Sequence, residues 1–258
     1  MKFLAAAVLA LAVVLMPRPA VAEQADATVY QDYVVLLHGI TRTSRAMQRM
    51  EDYFAQHGYR VINIDYKSRE YTIDRLAENV YEEISDITKE SEHRIHFVGH
   101  SMGGLIIRAI LNRHRPENLG RVVMLGTPNQ GSEVADFLEN NILFQNFYGP
   151  AGLQLVTDQR QIANLFGDVD FDLGIIAGTR SIDPLSSLVL PGSDDGKVTV
   201  ERTKLEGMTD HLVLPTTHTF MMRNAQVLSQ TRHFIENGTF AEPPPPRFNI
   251  ETRFRFNR

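Results

Sequence analysis

Six apolar runs of strand length punctuate the chain: Val34 to Leu37, Arg60 to Ile64, Ile95 to Val98, Val122 to Leu125, Leu173 to Ala177 and Leu212 to Leu214. Most are continuously apolar, not alternating, which is the pattern of strands covered on both faces in a parallel sheet. Helical periodicity fills the intervals. Arg45 to Gln56 carries Met47, Met50 and Phe54 and ends at Gly58, and Ile73 to Lys89 carries Leu76, Val80, Ile84 and Ile87 behind a Thr72 cap. Six strands joined by right-handed helical crossovers predict a doubly wound, mostly parallel α/β domain. One interval breaks the alternation. Ser132 to about Asp170 is longer than an ordinary connection and too apolar for disorder, with Ile142, Leu143, Phe144, Phe147 and Tyr148 clustered in it. It reads as a short cap over the strand ends, with Phe144 and Phe147 as candidate acyl-binding side chains; a packed core helix is the plainer alternative.

The two ends of the chain stand apart from this pattern. Lys2, the apolar run Phe3 to Met16 and the small-x-small triplet Ala20-Val21-Ala22 have the form of an export signal cleaved after Ala22. The apolar run is short for a bilayer span, so an uncleaved anchor is the lesser alternative and no stable membrane anchor is expected. The mature chain is then a periplasmic or secreted protein with one domain over residues 23–240. From Ala241 onward, with Pro243 to Pro246, the composition is that of an extended Pro-rich tail over 241–258.

Charge and cysteine content narrow the chemistry. The 258 residues carry a net −5, and losing Lys2 and Arg18 leaves 24 basic against 31 acidic residues, a net −7. An acidic chain without evident basic clusters is a poor candidate for nucleic acid or anionic membranes. The chain has no cysteine, which excludes a disulfide framework, a thiol nucleophile, thiolate metal sites and a lipoprotein anchor.

The chemistry centres on Arg94-Ile-His-Phe-Val-Gly-His-Ser-Met-Gly-Gly-Leu-Ile-Ile-Arg108. A β-favouring run stops at Gly99 and a helical pattern starts at Met102, so Ser101 sits at the strand-to-helix turn. In a Gly-x-Ser-x-Gly elbow the serine backbone is strained, and side chains two residues to either side would collide with the neighbouring strand and helix. Gly99 and Gly103 remove both. The Ser101 hydroxyl then projects from the carboxyl end of a strand, and the Met102 amide, at the positive end of a helix, can face a developing oxyanion. Taken alone, the same residues could be a tight turn with a capping serine.

A serine hydroxyl needs a base oriented by an acid, and the chain order after such an elbow is nucleophile, acid, histidine. That order eliminates the five histidines up to His100, and His114 lies too soon after the elbow, at the end of its helix, which leaves His211, His218 and His233. His233 falls in a helical pattern, and His211 precedes the last strand, at the wrong end of a parallel sheet. His218 follows that strand, in Leu214-Pro-Thr-Thr-His-Thr-Phe220. Among Asp183, Asp194, Asp195 and Asp210, the turn Ser193-Asp-Asp-Gly196 would present a carboxylate rigidly. Asp195 is the preferred acid, with Asp194 as the alternative and a solvated acidic turn as the bland reading. The second oxyanion donor is expected after the first strand, in Leu37-His38-Gly39-Ile40-Thr41, where glycine would let the Ile40 amide turn into the site.

Together, His38-Gly-Ile40, Gly99-His-Ser-Met-Gly-Gly104, Gly126-Thr-Pro-Asn-Gln-Gly-Ser132, Asp195-Gly196 and His218-Thr-Phe220 resemble the secreted bacterial lipases and esterases of the α/β-hydrolase family, over roughly Tyr33 to Asn237. They are most similar to small members whose oxyanion donor directly follows the His-Gly pair. The resemblance implies an α/β-hydrolase fold, with Ser101 as nucleophile, His218 as base, Asp195 as orienting acid and the Ile40 and Met102 amides as oxyanion hole. It implies a carboxylic ester hydrolase acting through an acyl-enzyme on a small-molecule or lipid ester, with no cofactor and no metal. The short cap does not imply interfacial activation on fat droplets. The same apparatus could serve a thioesterase, amidase or acyltransferase, and a catalytically silent binding protein is the alternative outside enzymes.

Overall fold

A computed structural model describes residues 32–89, 91–138, 148–155 and 163–242. The signal peptide expected over 1–22, the side chains Phe144 and Phe147, and the Pro-rich tail from Pro243 onward lie outside the described residues.

The six apolar runs are six strands: β1 (Tyr33–Leu37), β2 (Arg60–Ile64), β3 (Ile95–His100), β4 (Leu119–Leu125), β5 (Leu173–Gly178) and β6 (Asp210–Leu214). All pair in parallel, in the order β2-β1-β3-β4-β5-β6. The winding therefore reverses between β1 and β3, and a crevice opens beyond the carboxyl ends of those strands. Three helices carry the first crossovers, α1 (Gln48–Gln56), α2 (Ile73–Thr88) and α3 (Met102–Arg113).

The sheet is covered on both faces, as its unbroken apolar strands require. Val35, Leu37, Phe97, Met124 and Ile175 face the α2 and α3 side, packing with Leu76, Val80, Leu105 and Ile106. Val34, Leu36, Val98, Val123 and Ile176 face the other side, against Met50 and Phe54 of α1 and Val227 and Phe234 of the last helix. Shorter helical segments, of which Glu133–Leu138 is α4 here, separate α3 from that last helix, α5 (Ala225–Asn237), which has chemically defined ends. Asn224 accepts from the amides of Gln226 and Val227 at its start, and Gly238 closes it in the left-handed conformation at φ 82°.

The sequence reading needs several adjustments: β1, β3 and β5 extend one or two residues beyond their apolar runs. β4 starts at Leu119, because Leu119 already pairs with Ile95 ahead of a register irregularity. β6 starts at Asp210, which puts His211 inside the strand. Thr72 occupies the cap position of α2 without a side-chain capping bond. Val200 begins a helical turn, capped by the Thr199 hydroxyl accepting from the Arg202 amide.

The described parts of the 132–170 insertion comprise α4, helical residues 148–152 and short turns at Leu153–Leu155 and Ala163–Phe166. Leu155, Leu165 and Phe166 are buried against the α3 side of the body. Among the described residues, no helix is long and apolar enough to cross a membrane.

Candidate active site

Ser101 stands between β3 and α3 at φ 55° and ψ −124°, a region that side-chain-bearing residues rarely occupy. Neighbouring groups hold it there: its amide donates to the Leu125 carbonyl at 2.9 Å, and its own carbonyl accepts from the Thr127 hydroxyl at 3.0 Å. The flanking glycines are sterically required. A β-carbon at Gly99 would lie 2.5 Å from the Gly104 nitrogen, and one at Gly103 would overlap the Leu37 carbonyl oxygen and come within 2.8 Å of that of His38. Those obstacles are backbone, so they have no rotamer with which to yield.

The structure brings three of the predicted side chains into one line. His218 Nε2 is 3.0 Å from Ser101 Oγ, and His218 Nδ1 is 2.8 Å from Asp195 Oδ2. His218 begins a 3-10 segment (His218–Arg223) just beyond the carboxyl end of β6, and its amide donates to the Asp195 carbonyl at 2.9 Å. Asp195 is 1% exposed, and its Oδ1 accepts from the amides of Lys197 at 3.0 Å and Val198 at 2.9 Å. With one oxygen held by two amides, the other is left for the imidazole. Gly126, at φ 56°, leaves room for this pair: a β-carbon there would sit 2.9 Å from Asp195 Oδ2 and 3.1 Å from His218 Nδ1.

The alternative residues lie elsewhere. Asp194 Oδ1 accepts from the Gly196 amide and from the hydroxyl of Ser187 in the short helix Pro184–Val189, not from the imidazole. His211 Nε2 contacts the Thr203 hydroxyl at 3.0 Å, and His233 Nδ1 bonds the Thr239 carbonyl at the end of α5.

The turn after β1 is braced from behind. His38 is fully buried, stacked on the Tyr66 ring at 3.9 Å, with Nδ1 bonded to the Gly39 carbonyl at 2.8 Å. The Tyr66 hydroxyl donates to the His38 carbonyl. Burial lowers the pKa of His38, so the brace stays uncharged. Beyond it, Thr41 adopts φ 60° and Arg42 closes the turn by donating from its amide to the Gly39 carbonyl at 3.3 Å. Among the described residues, no backbone carbonyl accepts from the amides of Ile40 or Met102.

His100, eliminated by chain order in the sequence, is part of the same assembly. Its Nε2 lies 2.9 Å from the His218 carbonyl, and its ring centroid is 4.8 Å from that of His218. Burial, reinforced by the positive charge His218 can carry, holds its pKa well below the usual imidazole value. It is therefore a neutral donor that fixes the His218 backbone. Its position beside the serine in the elbow was the one available sequence signal.

A cavity of about 140 Å³ opens at Ser101, walled by Ile40, His100, His218 and, from the 132–170 insertion, Ala135, Tyr148 and Leu155. Arg42 and Lys197 stand at its edge, and Lys197 is paired with Asp183 at 2.7 Å. Among the described residues, no group of three His, Asp or Glu side chains could hold a metal ion.

The geometry has counterparts among known proteins. A family model described as palmitoyl protein thioesterase matches residues 33–173, more than half of the chain, from β1 to the start of β5. The Bacillus licheniformis lipase BlEst2 in its mature form superposes with a TM-score of 0.65 at 21% identity, covering 89% of this chain and 96% of that one. Phospholipase PlaB from Legionella pneumophila superposes with a TM-score of 0.58 at 19% identity, covering 79% of this chain and 57% of that one. These likenesses identify the sheet as that of the α/β-hydrolases, as the elbow and strand pattern had led us to expect. A protein of Mycobacterium phage D29 named as a non-heme haloperoxidase is 31% identical over 97 residues, which is 36% of this chain and 34% of that protein. The match thus spans about a third of that relative's length.

Proposed function

The chain belongs to the palmitoyl protein thioesterase family, and from that premise we propose that it is a serine hydrolase cleaving carboxylic esters through an acyl-enzyme. The observation that carries this reading is the imidazole of His218, 3.0 Å from Ser101 Oγ and 2.8 Å from Asp195 Oδ2. In the proposed cycle Ser101 Oγ attacks the acyl carbonyl as His218 Nε2 takes its proton. Asp195 keeps Nδ1 protonated and steadies the resulting imidazolium. The amides of Ile40 and Met102 receive the oxyanion. Collapse expels the alcohol, which takes the proton from His218, and water, activated by the same base, then releases the acid and frees Ser101.

A second reading, acyl thioesters as substrates, is favoured by the description of the matching family. It needs the same steps with a thiol as leaving group. We assign the 132–170 insertion as the cap, with one side on the body and the other toward the acyl chain. Ala135, Tyr148 and Leu155 support this by lining the cavity. Phe144 and Phe147 are proposed to extend the acyl-binding wall.

The test is fluorophosphonate labelling of the purified protein followed by turnover of p-nitrophenyl esters and matched thioesters of increasing acyl length. Ser101→Ala should abolish labelling and lower kcat on the order of 10⁶-fold; retained turnover would remove Ser101 from the mechanism. Phe144→Ala or Phe147→Ala should shift kcat/KM between short and medium chains, since each buried methylene contributes about 0.8 kcal/mol. An unchanged chain-length profile would place the acyl site elsewhere.

A further inference from the structure

Several basic side chains on the described surface are held by carboxylates, as Arg113 is by Glu78, Arg121 by Asp172 and Arg202 by Glu133, whereas Arg75, Lys89, Arg94 and Arg180 are exposed, enter no ion pair among the described residues and line neither the Ser101 cavity nor the groove beside it. Arg42, Arg45, Arg49 and Arg223 differ in where they stand: Arg42 lines the Ser101 cavity and the other three line the groove beside it. All four are exposed, and among the described residues none of them enters an ion pair.

The fold brings these four together beside Ser101. Arg42 stands at the edge of the Ser101 cavity. From there the chain passes through a 3-10 turn (Ser44–Met47) into α1, where Arg45 and Arg49, one helical turn apart, line an open groove of about 790 Å³. On the opposite side, the segment that begins at His218 in the cavity wall ends at Arg223 in the same groove. The 3-10 turn and α1 both pack against the His218–Arg223 segment, so cavity and groove adjoin along two stretches of chain. Tyr53, Gln48 and Gln56 complete the walls. The one carboxylate among the lining residues, Asp52, accepts from the Gln48 side chain at 3.0 Å.

Three guanidinium groups without an ion pair share the groove with one carboxylate, and a fourth, Arg42, stands in the adjoining cavity, so the local charge runs against that of a chain whose net charge is −5. Their mutual repulsion is offset only when an anion is present, and the planar fork of arginine matches phosphate oxygens two at a time. We propose that this groove binds phosphate groups on the leaving portion of the substrate. The acyl compounds cleaved at Ser101 would then be those whose alcohol or thiol part carries phosphate. The inference rests on the acyl-hydrolase reading of Ser101. It corrects the impression of a chain without basic clusters: three of the arginines lie within eight residues of sequence, and the fourth arrives from the far end of the domain.

The shared chemistry is an organic phosphate, and it has two sources: a phospholipid headgroup or a soluble phosphate-bearing carrier. The experiment compares the full mature protein with the double variant Arg49→Glu/Arg223→Glu, which alters exposed residues outside the catalytic contacts. Substrates are p-nitrophenyl butyrate as the neutral reference, butyryl-coenzyme A as the soluble phosphate-bearing thioester, and dihexanoyl phosphatidylglycerol as the phospholipid. The double variant should lose roughly tenfold or more in kcat/KM, mainly through KM, on at least one phosphate-bearing substrate while p-nitrophenyl butyrate stays within about twofold. The charge-matched variant Lys89→Glu/Arg94→Glu, at the amino-terminal end of the sheet, should leave all three rates in place. A loss confined to coenzyme A identifies a soluble carrier, and one confined to the phospholipid identifies a headgroup. The proposal is overturned if neutral and phosphate-bearing substrates decline together, if phosphate-bearing turnover survives both reversals, or if Lys89→Glu/Arg94→Glu reproduces the loss. Turnover of p-nitrophenyl butyrate with neither phosphate substrate cleaved would overturn this inference and leave the hydrolase reading standing. Failure of both fluorophosphonate labelling and neutral ester turnover would remove the hydrolase reading itself.

Discussion

Replacing Asp195 by asparagine changes one atom, and the structure specifies which way the new amide must face. Oδ1 accepts from the Lys197 and Val198 amides, while Oδ2 faces His218 Nδ1. An asparagine that put its NH₂ toward the two amides would leave three buried donors facing one another, at about 1–3 kcal/mol for each unsatisfied group. The favoured rotamer keeps oxygen on the amides and turns NH₂ toward Nδ1. The imidazole then has to present a lone pair at Nδ1 and carry its proton on Nε2, where it cannot take the proton of Ser101. Tautomer reversal of this kind costs about 10⁴-fold in kcat, or about 5.5 kcal/mol of transition-state stabilisation. Steady-state turnover of p-nitrophenyl butyrate measures kcat, and circular dichroism checks that the fold persists. Asp194→Asn, whose carboxylate bonds the Gly196 amide and the Ser187 hydroxyl and not the imidazole, should lose less than about tenfold. Near-normal turnover by Asp195→Asn, or equal losses from both variants, would refute the orientation argument.

Three further outcomes follow from the same geometry. Gly103→Ala places a methyl against the Leu37 and His38 carbonyls, which should cost about 3 kcal/mol and lower Tm by roughly 5–10 °C; an unchanged Tm would show that β1 can shift. Burial lowers the pKa of His38, His96, His100 and His211 below their ordinary 6.5. Below pH 6.5 the unfolded chain therefore takes protons that the native chain refuses. Their stabilising effect is intact above pH 6.5 and is lost as pH falls toward the lowered values, so Tm should drop between pH 7 and pH 5; a flat profile would contradict it. We propose that the chain is exported and cleaved after Ala22, so mass spectrometry of a periplasmic or culture fraction should find a chain starting at Glu23, whereas a full-length chain in the membrane fraction would make residues 1–22 an anchor.

Much of the fold was legible in sequence because it is governed locally. Strands covered on both faces show as nearly unbroken apolar runs: those of β1, β4 and β5 are continuous, and single polar residues, Asn63 and His96, interrupt those of β2 and β3. The elbow was legible for the same reason: Gly99 and Gly103 are needed by sterics that act within a few residues of Ser101. His218 could be narrowed by chain order together with its place after the last strand, since a parallel sheet puts only the residues after a strand at its carboxyl end.

Tertiary packing decided what the sequence left open. Adjacent residues point in different directions, so Asp194 and Asp195 are equivalent in composition. Only the closure of the 193–199 turn aims Asp195 at an imidazole 23 positions away. His100 meets the His218 carbonyl across 118 positions, a contact that no local pattern encodes. The arginines divide in the same way. Arg42, Arg45 and Arg49 are visible as neighbours in sequence, but Arg223 joins them because β6 and the 3-10 segment after it return the chain to α1. Local sterics and periodicity act over a few residues and can be read from the sequence. The direction of a side chain and its distant partners are set by packing the whole domain, which exists only once the chain has folded.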